Sequence, residues 1–245
     1  YDKPMIFYPL STLMSANIRE ILIITTERDK NIFKELLGDG SNFGIEIQYE
    51  VQKSPNGLAE AFIIGENFIK NNNSALILGD NIFCGFENEF INISQKKENG
   101  AYIFAYPVRD PERYGNVKFS DDGYVEEIIE KPLIPLSKYA ITGLYFYDET
   151  VVEKSKELKI SDRGELEITD LNNKYLTEKR LFVQKIGSNA TWLDAGTVDS
   201  LNEASSYIQT IENRQGQKIG LPEEVAWRKG WINEKQLERI AGEFM

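Results

Sequence analysis

SALILGDN, residues 74–81, decides the fold. SALILG is a short continuous apolar run of strand length, and it stops at Asp80. In open α/β sheets ligands collect in the crevice beyond the carboxyl ends of the strands, above all where the strand order reverses. Asp80 and Asn81 therefore stand where a ligand is expected.

Upstream, GLAEAFIIGENFIK (57–70) spaces Leu58, Ala61, Phe62 and Phe68 as a helix does, and residues 45–51 alternate like a half-buried strand. Residues 29–37 predict a short amphipathic helix closed by Gly38, EILIITT (20–26) a β-branched strand, and residues 5–15 a helix. Downstream of Asp80, residues 86–97 have helical character. AYIFAYP (101–107), NVKF (116–119), YVEEIIE (124–130) and YAITGLYFY (139–147) are strand-like segments between polar turns. A helix over 167–176 and a strand LFVQKI (181–186) lead to TWLDAGT (191–197). From Leu201 the pattern is helical, with a helix ending at Gly216 and two short helices around Trp227 and Trp231. The expected fold is α/β: a Rossmann-like mixed, mostly parallel sheet flanked by helices over 1–200, with a helical appendage over 201–245.

Composition narrows the function. A chain of 245 residues can bury one sizeable core. It contains no apolar run of roughly 18 residues and no charged and apolar leader, which predicts a soluble protein without a membrane partner. The single Cys84 excludes an internal disulfide and fits a cytoplasmic setting. Histidine, the commonest general base, is absent. A net charge of -11 argues against general affinity for nucleic acid. Binding of a polyphosphate would then require a metal or local cations, which directs attention to Asp residues as ligands of a hard divalent ion and to isolated Lys and Arg.

Six motifs carry such chemistry. LGDN (78–81) and WLDAGT (192–197) each set an Asp after an apolar stretch, so Asp80 and Asp194 can converge on one Mg2+ while phosphate oxygens complete its octahedron. Taken alone each is also an ordinary turn. EKP (130–132) ends a strand in Glu130, able to accept from sugar hydroxyls, and Lys131, whose ammonium suits a phosphate, although such a strand-end pair is equally solvated surface. SDRGELEITD (161–170) offers the Arg163 fork beside Gly164, although its carboxylates also suit a helix start. QKSPNGLAEAF (52–62) is a turn opening a helix, either an ordinary strand-to-helix loop or one that exposes backbone groups and the Gln52 amide to a flat ligand such as a base. In DPERYG (110–115), Tyr114 and Gly115 form one wall of a sugar pocket or a plain turn.

In series, QKSPNGLAEAF, LGDN, DPERYG, EKP, YAITGLYFY, RGELEITD, WLDAGT and ENRQG resemble the bacterial glucose-1-phosphate thymidylyltransferases across the whole chain. The resemblance implies the nucleotide-diphospho-sugar transferase fold. It also implies attack of a sugar-1-phosphate oxygen on the α-phosphate of dTTP, with release of pyrophosphate and formation of dTDP-glucose. It maps Mg2+ onto Asp80 and Asp194, thymine onto Gln52 and Gly57, and glucose onto Tyr114, Gly115, Glu130 and the 141–143 segment with Ile141 and Gly143. Lys131 and Arg163 take the sugar phosphate. In-line displacement at phosphorus needs positioning and charge neutralisation, so the lack of histidine is no obstacle. A homotetramer with an allosteric nucleotide site is a further implication.

Two departures stand out. The family's G-x-G-T-R-L loop and following Lys, which grip the triphosphate, are absent here, and the opening at Tyr1 without a preceding strand carries the expectation of a missing or unseen segment. The family's His-Gly pair is also absent, since NIFCG runs straight into FENEF. The alternatives are a pyrophosphorylase for another pair of substrates, such as UTP and a hexose phosphate, and a catalytically silent nucleotide-sugar-binding regulator.

Overall fold

A computed structural model describes residues 1–94, 99–187 and 189–243. The chain opens with α1 (Phe7–Ser15), β1 (Glu20–Thr25), α2 (Lys30–Leu37), β2 (Glu46–Val51), α3 (Glu60–Ile64), α4 (Glu66–Ile69), β3 (Ser74–Ile77) and β4 (Asn81–Cys84). It continues through α5 (Glu87–Ser94), β5 (Ala101–Pro107), β6 (Asn116–Phe119), β7 (Val125–Ile129) and β8 (Tyr139–Tyr147). There follow α6 (Val151–Lys156), α7 (Ile168–Thr177), β9 (Leu181–Lys185), β10 (Thr191–Asp194), α8 (Val198–Gln215), α9 (Pro222–Arg228) and α10 (Glu234–Glu243). Of the helical stretch expected over 86–97, residues 95–97 lie outside the described residues.

The chain divides into two compact units. One comprises Tyr1–Glu50, Ile77–Gln95 and Asn189–Met245, and the other Val51–Leu76 and Lys96–Ser188. The C-terminal helices belong to the same unit as α1.

In the second unit a mixed sheet runs β7-β6-β8-β5-β9, and β3 also pairs with β8. β5 is parallel to β9 and antiparallel to β8, while β6 is antiparallel to both β7 and β8. Every residue of β8 after Tyr139 is buried, which is why YAITGLYFY reads as an unbroken apolar run. Phe62, Leu171 and Tyr175 from α3 and α7 pack with Ile141, Tyr145 and Tyr147 of β8 in one core. The helix expected over 57–70 is broken at Gly65, which ends α3 and caps α4, as the poor helix propensity of glycine permits.

In the first unit α1 is buried from Phe7 to Met14, as its apolar character on all sides requires. A two-stranded ladder joins β4 to β10 antiparallel, and Ile82, Ala195, Ala204 and Ile208 share a core with Tyr8. Trp231, expected in a short helix, lies in the turn between α9 and α10. Among the described residues no helix is long and apolar enough to cross a membrane.

Candidate active site

β3 ends at Ile77 and β4 starts at Asn81, so Asp80 occupies the turn between them, closed by Asn81 N–H donating to Leu78 O at 3.2 Å. The turn reading of LGDN therefore holds. Asp194 is the last residue of β10 and pairs with Asn81 across the ladder. Ala195 N–H then donates to Asp80 O at 2.9 Å, which draws the two acidic turns together.

The side chains converge on one glycine. A Cβ on Gly196 would stand 2.9 Å from Asp80 Oδ2 and 3.1 Å from Asp194 Oδ1. Each carboxylate is also steadied: Asn81 Nδ2 donates to Asp80 Oδ1 at 2.8 Å and Gly196 N–H to Asp194 Oδ1 at 3.1 Å. Buried Asn81 in turn accepts from Trp192 Nε1 at 2.6 Å. Immediately beyond, Thr197 caps α8 reciprocally with Ser200, fixing where the chain leaves the acidic pair. Sequence reasoning found the two aspartates but not the β4–β10 ladder, whose four-residue strands NIFC and TWLD are its faint signal.

The pair suits a hard divalent ion, which takes one or two carboxylates and fills its remaining positions with phosphate and water oxygens. Among the described residues no group of three or more His, Cys, Asp or Glu gathers to make an all-protein cage.

The second cluster belongs to the other unit. Lys131 N–H donates to Tyr114 O at 3.2 Å and Ile141 N–H to Gly115 O at 2.7 Å, so the YG turn lies between the EKP segment and β8. Lys131 holds a left-handed φ of 39°, a conformation costing a non-glycine residue roughly 1–2 kcal/mol. Gly143 follows Ile141 by two residues on buried β8. A Cβ on Gly115 would lie 3.2 Å from Thr169 Oγ1 and 3.4 Å from Glu130 Oε2, which places the glycine against both side chains. Asn116, fully buried, donates to Ser137 O and Tyr139 O and accepts from Leu136 N–H and Ser137 N–H, locking the approach to β8.

Glu130 is the electrostatic centre of this cluster. Burial, with the charge of Glu167, raises its carboxyl above the ordinary range, against the opposing pull of Thr169, Lys131 and Arg163. Thr169 Oγ1 donates to Glu130 Oε2 at 2.5 Å, whereas Lys131 Nζ stands 4.0 Å and Arg163 Nη1 3.4 Å from Oε1. Arg163 also reaches Glu167 at 3.3 Å and Glu165 at 3.4 Å. These long contacts on side chains 47% and 41% exposed leave Lys131 and Arg163 weakly held. Thr169 and Glu167 were hidden inside a motif that reads as a helix start.

Gln52 and Gly57 are likewise joined, with Gln52 Nε2 donating to Gly57 O at 3.1 Å. The structure thus brings the sequence-predicted residues into two groups in different units, Asp80 with Asp194 and the remainder with β8 and α7.

Residues 1–211 match the family described as "Nucleotidyl transferase". The chain belongs to the nucleotidyl transferase family. It is 54% identical over 242 residues to the glucose-1-phosphate thymidylyltransferase of Neisseria meningitidis, covering 98% of this chain and 84% of that protein. It is 50% identical over 244 residues to the enzyme of the same name from Mycobacterium tuberculosis, with 98% and 84% covered. A crystal structure from Bacillus anthracis, provisionally assigned to the same activity and holding sucrose, superposes with a TM-score of 0.76 at 40% identity, covering 83% of this chain and 82% of its own. UDP-glucose pyrophosphorylase complexed with UDP-glucose shares the fold, with a TM-score of 0.72 at 23% identity over 85% of this chain and 88% of its own. The α/β class with a mixed sheet is that of these nucleotidyl transferases.

Proposed function

We propose that this nucleotidyl transferase moves a thymidylyl group from dTTP to glucose-1-phosphate, giving dTDP-glucose and pyrophosphate. The observation that carries the reading is the convergence of Asp80 and Asp194 on Gly196. The names of the 54% and 50% identical relatives support the choice of substrates. An oxygen of the sugar phosphate forms a bond to the α-phosphorus while the bond from that phosphorus to the pyrophosphate oxygen breaks. Asp80 and Asp194 would hold a Mg2+, which supplies charge neutralisation at the phosphates.

The remaining work is positioning. Lys131 and Arg163 bind the sugar phosphate by exchanging long carboxylate contacts for shorter phosphate ones. Glu130, together with Tyr114, Gly115, Ile141 and Gly143, fixes the glucose ring, and Gln52 with Gly57 receives the thymine. Such constraint converts a bimolecular attack into an effectively unimolecular one. A cytoplasmic homotetramer is the setting that the resemblance carries with it.

The test is a pyrophosphate-release assay crossing dTTP, UTP, ATP, CTP and GTP with several sugar-1-phosphates, with and without Mg2+. Release is expected with dTTP, glucose-1-phosphate and Mg2+ together. No release from that combination would overturn the proposal.

A further inference from the structure

We infer that Glu60 is a positioning residue that sets base selectivity through Gln52, an inference that rests on reading Gln52 as a contact to the base. The carboxylate Oε2 of Glu60 accepts from Gln52 Nε2 at 2.7 Å, and Gly57 O accepts from the same nitrogen at 3.1 Å. A primary amide nitrogen carries two hydrogens, and these two acceptors use both. Neither a carboxylate nor a carbonyl can donate, so the amide cannot turn over without facing its oxygen to two others.

Glu60 is itself held in place. Its second oxygen accepts from Asn56 Nδ2 at 2.8 Å. The backbone of the same turn is clamped by Leu166, whose N–H donates to Asn56 O at 2.6 Å and whose carbonyl accepts from Ala59 N–H at 3.2 Å. Gly57 sits so close to that strut, at φ 107°, that a Cβ would come within 2.4 Å of Leu166 O. The Gly57 carbonyl is therefore a fixed acceptor and not a chance contact.

The consequence concerns what Gln52 can offer a ligand. With Nε2 fully used, the side chain presents only Oε1, which accepts no protein hydrogen bond among the described residues. An acceptor in this place favours a pyrimidine with a ring N3–H, thymine or uracil. Cytosine in the same pose brings an unprotonated N3 lone pair against Oε1 and is repelled. Sites built around a specific hydrogen bond reject ligands that lack the matching group more strongly than apolar pockets reject a missing methylene. Glu60 thus acts at one remove: it never touches the base, yet it decides which face of the Gln52 amide the base meets.

The experiment compares kcat/KM for dTTP and CTP in the protein and in Glu60→Gln, at fixed glucose-1-phosphate and Mg2+. The substitution replaces an obligate acceptor with an amide that can turn its own NH2 toward Gln52, so that only the more distant Gly57 O still opposes a flip of Gln52. The expected result is a fall of roughly tenfold or more in the dTTP:CTP ratio, with KM for glucose-1-phosphate changed less than about twofold. A parallel fall with both nucleotides, or an unchanged ratio, would overturn the inference, since a merely structural role lowers both alike. Should Glu60→Gln fail to fold, the unaltered protein is assayed with N3-methyl-dTTP, in which a methyl group replaces the N3 hydrogen and both ring carbonyls are kept. A drop of roughly tenfold or more relative to dTTP is expected, and equal use of the two overturns the inference. If the unaltered protein turns over no dTTP at all, the proposed reaction itself falls and this inference with it.

Discussion

Asp80 and Asp194 both lie against Gly196, their Oδ2 and Oδ1 atoms 2.9 and 3.1 Å from the position a Cβ would take there. Gly196 has no left-handed backbone torsion to protect. Its value is the space it leaves beside two carboxylates.

Gly196→Ala should therefore act on the acidic pair with little backbone strain. The added methyl pushes one or both carboxylates aside, and small misplacements of catalytic groups are costly. The Mg2+ concentration for half-maximal pyrophosphate release is expected to rise roughly tenfold or more, with the thermal midpoint shifted only slightly. Mg2+ titration of the rate, paired with a melting curve, checks both.

Asp80→Asn and Asp194→Asn keep an Oδ1 that can still accept from Asn81 Nδ2 and Gly196 N–H respectively. The turns should survive while the charge is lost. Turnover is expected to fall by about two orders of magnitude, in line with the loss of one preorganised electrostatic group. Near-normal pyrophosphate release in either variant would remove the metal role from that residue.

Glu130 has a folded pKa above its ordinary 4.5, first because of burial and then because of Glu167. Its contribution to stability is thus fully present below pH 4.5 and is lost as pH rises through the raised folded value. Glu130→Gln should match the unaltered protein in acid and equal or exceed it at neutral pH by roughly 1–3 °C. KM for glucose-1-phosphate should nonetheless rise roughly tenfold, because an anionic acceptor for sugar hydroxyls is gone. Melting curves from pH 4 to 8 beside a sugar-phosphate titration test the two halves separately.

Lys131→Gly separates backbone from charge. Glycine adopts the left-handed φ of 39° without steric penalty, so the thermal midpoint should not fall. Loss of the ammonium should raise KM for glucose-1-phosphate about tenfold while KM for dTTP stays within about twofold. Equal effects on both substrates would contradict the assignment of Lys131 to the sugar phosphate.

Asp2 provides a pH test remote from the chemistry. Burial pushes its carboxyl up, but hydrogen bonds and charges from Lys218 and Lys3 outweigh this and hold it at about 2, below the ordinary 3.8. Stability from this group is present above pH 3.8 and disappears as pH falls through about 2. Asp2→Asn should lower the thermal midpoint at pH 6 by a few degrees at most, since the pairs are partly solvated. The difference should vanish near pH 2, as acid-melting curves of the two proteins would reveal.

Much of this molecule is written in local pattern. The buried run of β8 appears in YAITGLYFY because burial on both faces demands continuous apolar residues, and the half-buried strand ending before Asp80 appears in SALILG. The same pattern reading overran where a single residue intervenes, as Gly65 splits the expected helix over 57–70. Short strands such as NIFC and TWLD fall below the length at which periodicity speaks, so their pairing was not legible.

By itself the sequence determined the α/β alternation, the two acidic turns, the cations of EKP and RGELEITD, and the Gln52 to Gly57 turn. These follow from residue type and near-neighbour spacing. Only the tertiary structure decided that Asp194 meets Asp80 over Gly196, that Thr169 holds Glu130, and that Glu60 and Gly57 consume both hydrogens of Gln52. These are contacts across turns, ladders and packed helices. Their geometry depends on where the backbone folds back, which no local pattern encodes.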